Sequence, residues 1–321
     1  MKLGAFNTLF FDRSFEEALE AIKYHGCEAV EIGCGGFITK KHVIPSELLE
    51  DDGKRKNFMA TVEKYELFIS ALSCHGNMVH PKSDFANAHR KDFRDVVRLA
   101  GKMGVERVIT FAGCPGTSDR DANPSWITCP WPDYFTEALK WQWEEKLIPL
   151  WKEEASFARK NGVKMICLEM HPGDAVYNPE KLLKLRNAVG EEIGCNFDPS
   201  HLFWQGINPC AALRDLKDCI FHVHAKDSKI EPLVSQVNGV LDNKPYGAEI
   251  NRSWIFRTVG YGHDYSFWKD FVSTLRLIGY DYVLSIEHED SLMSGEEGLK
   301  KAVKFLKEVM IEKPRGVMWW D

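Results

Sequence analysis

Eight short apolar runs, spaced along the chain with amphipathic stretches between them, constrain this 321-residue sequence more than any other feature. The runs read as strands at 3–7, 29–33, 68–74, 107–113, 164–169, 193–198, 219–224 and 282–287. Each is rich in Val, Ile and Phe and apolar on both faces, as strands of a parallel sheet covered on both sides must be. The intervening stretches place apolar residues at helical spacing, for example Phe15/Ala18/Leu19/Ile22 and Phe93/Val96/Val97/Ala100. Several of them end in a glycine before the next strand (Gly26, Gly104, Gly162, Gly279), where a left-handed residue closes a helix. Right-handed crossovers then leave one main solution, an α/β fold of the (β/α)8 TIM-barrel type, as a single domain over 1–321. An open doubly wound sheet is the alternative, but no G-x-G-x-x-G follows the first strand.

Two segments, about 113–133 and 228–262, are too long for ordinary βα turns. They carry Pro, Gly, Asn and Trp without a clean period, so they read as long loops leaving strands four and seven. In a barrel both lie on the C-terminal face, where active sites are built. Trp126 and Trp131 are candidates to stack on a sugar face, or to pack a lid on its own aromatics.

The last four strands carry the chemistry. KMICLE, IGCNFD, CIFHVH and YVLSIE end in Glu169, Asp198, His224 and Glu287. A barrel brings four consecutive strand ends together around one mouth. Three carboxylates and one imidazole suit a hard divalent cation: Mn2+ first, with Mg2+, Co2+ or Zn2+ as alternatives. The competing reading is a hydrogen-bonded polar rim without metal. Around this set, His75 and Glu31 read as strand-end groups that orient a substrate, or else as partners that hold the metal-binding side chains. His222, one layer below His224 on the same strand face, reads as its orienter. Lys226 and Asp227 are read as neutralising substrate charge or locking the loop; His171, His263 and His288 are weaker candidates.

The motifs LEMHPGD (168–174), NFDPSHLFWQG (196–206), HVHAKD (222–227), FRTVGYG (256–262) and IEHED (286–290) resemble the sugar phosphate isomerase/epimerase family. These are xylose-isomerase-like barrels that include ketose 3-epimerases, inosose dehydratases and apurinic endonuclease relatives. The resemblance runs in order along nearly the whole chain. It implies that Glu169, Asp198, His224 and Glu287 are the metal ligands and that Glu169 and Glu287 exchange the substrate proton. It further implies that His201 and Arg257 contact substrate oxygens. The expected activity is proton abstraction beside a carbonyl of a small carbohydrate through a metal-stabilised enediolate, giving isomerisation or epimerisation. A lyase on the same scaffold shares the first step, with His171, His263 or Tyr261 as the acid over a leaving group.

Composition argues against the other classes. The net charge of −6 gives no support to a nucleic-acid surface, which counts against the endonuclease branch. Non-catalytic sugar binding is disfavoured by the intact ligand set. Nine scattered cysteines without a C-x-x-C pair read as reduced thiols. No apolar run approaches the roughly 18 residues of a membrane span, and the chain reaches a strand at once, so it is expected to be cytoplasmic. Lys226 and Arg257 as the obvious cations favour an unphosphorylated substrate. The tail VMWWD (317–321) suggests a subunit contact, hence a homo-oligomer, dimer or tetramer.

Overall fold

A computed structural model describes residues 1–313 and 316–320. Eight parallel strands close a barrel: β1 (Lys2–Phe6), β2 (Ala29–Gly36), β3 (Phe68–His75), β4 (Arg107–Phe111), β5 (Met165–Glu169), β6 (Ile193–Phe197), β7 (Ile220–Ala225) and, after an inserted hairpin, β10 (Val283–Ile286). Neighbours in sequence pair in space. β1 closes the ring, with Leu3 opposite Leu284 of β10 and Ala5 opposite Val30 of β2. All eight expected strands form, with ends shifted by a few residues. The helices close as expected at Gly26, Gly104, Gly162 and Gly279, each with positive φ. Gly104 shows why: its φ of +72° ends the helix Ser83–Met103 in a conformation that a Cβ disfavours.

The period-2 alternation divides the two faces of the barrel wall. Ile166, Leu168, Cys195, Phe197, Val223, Leu284 and Ile286 point outward into the main core shared with the helices. Ala71, Ile109 and Cys167 fill a small apolar plug inside the barrel. Above that plug the inward positions turn polar: Glu31, Ser73, Asn196, His222, His224 and Ser285 are all fully buried. A barrel that places six polar side chains there must satisfy them among themselves or with a ligand.

The two long segments differ from each other. Residues 113–132 have no regular structure before the helix Asp133–Trp141. The Gln142 amide holds that loop by donating to the Gly116 and Ser125 carbonyls at 2.9 and 2.8 Å. Trp126 packs into an aromatic cluster with Trp204, Trp254 and Phe256, whereas Trp131 is exposed. The 228–262 segment is not the irregular loop expected. It carries most of an antiparallel hairpin, β8 (Asp227–Ile230) with β9 (Trp254–Arg257), around a short helix, Pro232–Asn238. Strands of four residues are too short to show a period. In the tail, Val317, Trp319 and Trp320 are exposed, and Asp321 lies outside the described residues. Among the described residues, no helix is long and apolar enough to cross a membrane.

Candidate metal centre

Inward parity at the tops of β5, β6, β7 and β10 brings Glu169, Asp198, His224 and Glu287 together. One ligand atom from each lies within 4.8 Å of all the others. His224 Nδ1 sits 3.0 Å from Glu287 Oε2 and 3.3 Å from Glu169 Oε2. Asp198 Oδ1 accepts from the Ser200 N–H at 2.8 Å, while its Oδ2, fully buried, accepts no hydrogen bond.

Three carboxylates gathered out of water repel one another unless positive charge stands among them. Burial pushes Glu169 up, but hydrogen bonds from His201, His224 and His75 overcome it and hold it well below the usual carboxylate range. Glu287 is also lowered, the Lys226 and His224 charges outweighing burial. Asp198 is raised, because burial outweighs His201 and Lys226. His224 is raised well above an ordinary imidazole, the charges of Glu31 and Glu287 overcoming its burial. A buried acid oxygen that accepts no hydrogen bond, two ionised carboxylates and an imidazole that would give up its proton on binding fit a divalent cation with oxygen-rich preferences.

The layer beneath orients these groups. His224 Nε2 donates to Glu31 Oε2 at 3.0 Å. Glu31 in turn accepts from Ser285 Oγ at 2.7 Å and from Ser73 Oγ at 2.5 Å. That pairing commits the Nε2 proton downward, so Nδ1, which here donates to the carboxylates, is the nitrogen that would shed its proton to bind a metal, the arrangement by which buried acids fix metal-binding imidazoles. The expected place of Glu31 at the mouth, as a substrate contact, is therefore corrected. β2 runs on to Gly36, so Glu31 lies mid-strand opposite Ala71, well below His75, which pairs with Gly36. His222 takes the lower position expected of it: Nδ1 donates to Asn196 Oδ1 at 2.9 Å, and burial drives its pKa down to about 3. Asn196, absent from the sequence candidates, links the layers by donating to Glu169 Oε2 at 2.9 Å. Its position two residues before Asp198 on the same strand face was the available signal.

The remaining candidates divide. His75 Nε2 lies 3.3 Å from Glu169 Oε2, and His201 Nε2 lies 3.2 Å from Glu169 Oε1 and 3.4 Å from Asp198 Oδ2. Both are buried against the ligand set. Lys226 is 2% exposed, so its charge is held inside the site. It sits 3.1 Å from Glu287, 2.5 Å from Glu289 and 4.3 Å from the Phe256 ring centre. Asp227 locks the loop: it accepts from the backbone N–H groups of Gly260, Gly262 and His263 and from the Trp268 indole. Arg257 is not brought to the ligands. It pairs with Asp290 at 3.1 Å and lines a groove with Lys229 and Ile250, whereas Phe256, its neighbour on β9, lines the mouth. Successive strand residues face opposite ways, which puts Arg257 on the outer side. His263 stacks on Phe203 and bonds to Asp227, and His288 bonds to the Met293 carbonyl. His171 lies on the wall of the cavity above the ligands, about 320 Å³, together with Tyr246, Ile255, Phe256, Glu289 and Ser291.

The family model for xylose isomerase-like TIM barrels matches residues 19–309. The chain belongs to the xylose isomerase-like TIM-barrel family. An uncharacterised protein of Bacillus subtilis, YfiH, is 39% identical over 312 residues, 97% of this chain and 99% of its own length. Among solved structures, the probable 3-DHS dehydratase AsbF of Bacillus anthracis superposes with a TM-score of 0.66 at 17% identity, covering 96% of this chain and 99% of that one. A D-tagatose 3-epimerase-like protein gives 0.65 at 22%, covering 96% and 98%. The IOLI protein with a bound zinc atom gives 0.64 at 19%, covering 97% and 99%. At these identities the three structures share the family fold with this chain, and the reaction must be argued from its own residues.

Proposed function

We propose that this chain is a divalent-metal-dependent isomerase or epimerase of a small, unphosphorylated keto-sugar. The observation that carries the reading is the convergence of Glu169 and Glu287, from strands on either side of β6 and β7, on the nitrogen of His224 beside an Asp198 oxygen that is buried and accepts no hydrogen bond. Glu169, Asp198, His224 and Glu287 would hold the ion; Mn2+ is favoured by three oxygen donors to one nitrogen, and the zinc in the related IOLI structure keeps Zn2+ as an alternative. When bound, such an ion withdraws electron density from a carbonyl and its neighbouring hydroxyl, which makes the adjacent C–H acidic.

The chain's own groups do the rest. Glu169 and Glu287, both held ionised, flank the site and are placed to remove and return a proton. Return by the other carboxylate inverts the carbon; return to the neighbouring carbon shifts the carbonyl. His75 and His201 hold Glu169 from two directions, each donating its Nε2–H to one carboxylate oxygen. Lys226 supplies positive charge beside Glu287. Phe256 and Tyr246 wall the cavity against water, and Glu289 on the same wall disfavours a phosphate.

The lyase reading keeps one foothold. Of His171, His263 and Tyr261, His171 alone lies on the mouth cavity wall, so it is the leaving-group acid if one operates. The epimerases and the dehydratase among the related folds accommodate both outcomes. Incubation with a panel of ketoses and keto-glycosides in D2O with Mn2+, followed by NMR, decides. Deuterium beside the carbonyl with a new isomer supports the proposal. An enone or dehydrated product selects the lyase, and no chelator-sensitive exchange with any member of the panel refutes both.

A further inference from the structure

The outer face of the inserted hairpin is apolar and has nothing packed on it. Its short helix, Pro232–Asn238, buries none of its residues. Leu233 and Val237, four residues apart and so on one face of that helix, are 83% and 79% exposed. Ile250, on the return of the insertion, is 88% exposed, and Leu292, from the loop after β10, is 59% exposed. Leu233, Ile250 and Leu292 line a common groove of about 450 Å³ with the β9 residues Ile255 and Arg257. Isolated exposed leucines need no explanation, but a contiguous set does. Four large side chains this bare present several hundred Å², in the range of about 300–600 Å² at which a patch marks an interaction site.

The charges around the groove favour one kind of occupant. Lys229 stands on the same rim as Glu231 and Glu249, with Arg257 beside them already held by Asp290, so both signs are interleaved on one small face. A patch of a single sign would repel itself across a twofold axis. A patch carrying both is self-complementary, because in an isologous contact residue i meets j while j meets i. We propose that this hairpin face docks on the same face of a second copy of the chain, forming a twofold dimer. Beyond burying the patch, the contact braces β9 from behind. Arg257 would face the partner while Phe256, its neighbour on the strand, walls the mouth, and Ile255 lines both the groove and the mouth cavity. This dimer does not depend on the metal or on the reaction assigned above.

Sedimentation velocity of the full chain between about 1 and 100 μM tests the proposal. The expected result is a concentration-dependent species of twice the 36.7 kDa chain mass. The double variant Leu233→Glu/Ile250→Glu should weaken self-association at least tenfold. Its far-UV circular dichroism and melting temperature, measured at low concentration where wild type is also monomeric, should match wild type, since both side chains are exposed in the single chain. A control variant, Trp319→Ala/Trp320→Ala, removes the exposed tryptophans of the tail and should leave the dimer unchanged. A wild-type chain that stays monomeric throughout overturns the proposal, whatever else binds the face. So does a dimer that survives the glutamate pair or is lost in the tail variant. Because turnover is not read, failure here leaves the enzymatic reading standing, and failure of that reading leaves the dimer standing.

Discussion

Replacing Glu31 by Gln tests whether the lower layer sets the properties of the upper one. Glu31 is fully buried. Its carboxylate spends both oxygens on His224 Nε2 at 3.0 Å, Ser285 Oγ at 2.7 Å and Ser73 Oγ at 2.5 Å. Although burial pushes its pKa up, His224, with help from His222 and Ser73, holds it below the ordinary value, so it stands as an anion under the imidazole. Glutamine keeps the shape and one acceptor. It removes the charge and turns an NH2 toward a group that also donates, so His224 loses either its tautomer or its anchor. Loss of such an orienting acid costs about 10–100-fold in metal affinity, which is about 1.4–2.8 kcal/mol. Isothermal titration of Mn2+ into wild type and Glu31→Gln, both checked by circular dichroism, measures it. A dissociation constant within threefold of wild type in a folded variant would refute the claim that Glu31 acts through His224.

Other outcomes follow from the same geometry. Burial raises the Asp174 carboxyl to about 8 against 3.8, so the native state keeps a proton that the unfolded chain releases. Stability therefore falls as pH rises from about 4 to about 8, by up to ~1.4 kcal/mol per unit. Asp174→Asn should raise the melting temperature at pH 7 and give no gain at pH 4, and equal gains at both contradict this. His222, with its pKa lowered to about 3, has the opposite sign: the unfolded chain binds the extra proton, so stability is lost as pH falls from about 6.5 toward 3, by on the order of 4 kcal/mol in all. His222→Gln should flatten the change in urea stability between pH 6 and pH 4; an unchanged slope assigns the acid sensitivity elsewhere. Glu169→Gln and Glu287→Gln should each slow solvent-deuterium exchange into a keto-sugar substrate by about 10²–10⁴-fold, and a variant within tenfold of wild type loses its proton-transfer role.

The barrel was legible because covered parallel strands carry a strong local signal, apolar on both faces and bounded by helix-closing glycines. The candidate metal set was legible for a related reason. Glu169, Asp198, His224 and Glu287 stand at or just past the strand ends, and closing the ring is enough to bring them together. Depth and facing were harder to read. Glu31 looked like a strand end because β2 was taken to stop at Gly33; three more residues of strand put it a layer down, under His224. Arg257 follows a similar rule on the hairpin. One step along β9 exchanges the mouth for the outer groove, and a four-residue strand within an insertion gives no pattern from which to fix that step. Asn196 was missed because an amide two residues below a ligand carries no charge, although it joins Glu169 to His222. Lys226 was expected near a substrate, and the structure places its ammonium among the carboxylates themselves.

Diffraction from a crystal soaked in Mn2+, with anomalous data collected near the manganese edge, puts the central idea to its most direct test. A single strong peak about 2.0–2.3 Å from a carboxylate oxygen of each of Glu169, Asp198 and Glu287 and from His224 Nδ1 is the predicted result. No peak inside that ring at saturating Mn2+, or one bound through other side chains while these four stay bonded only to protein, would contradict it.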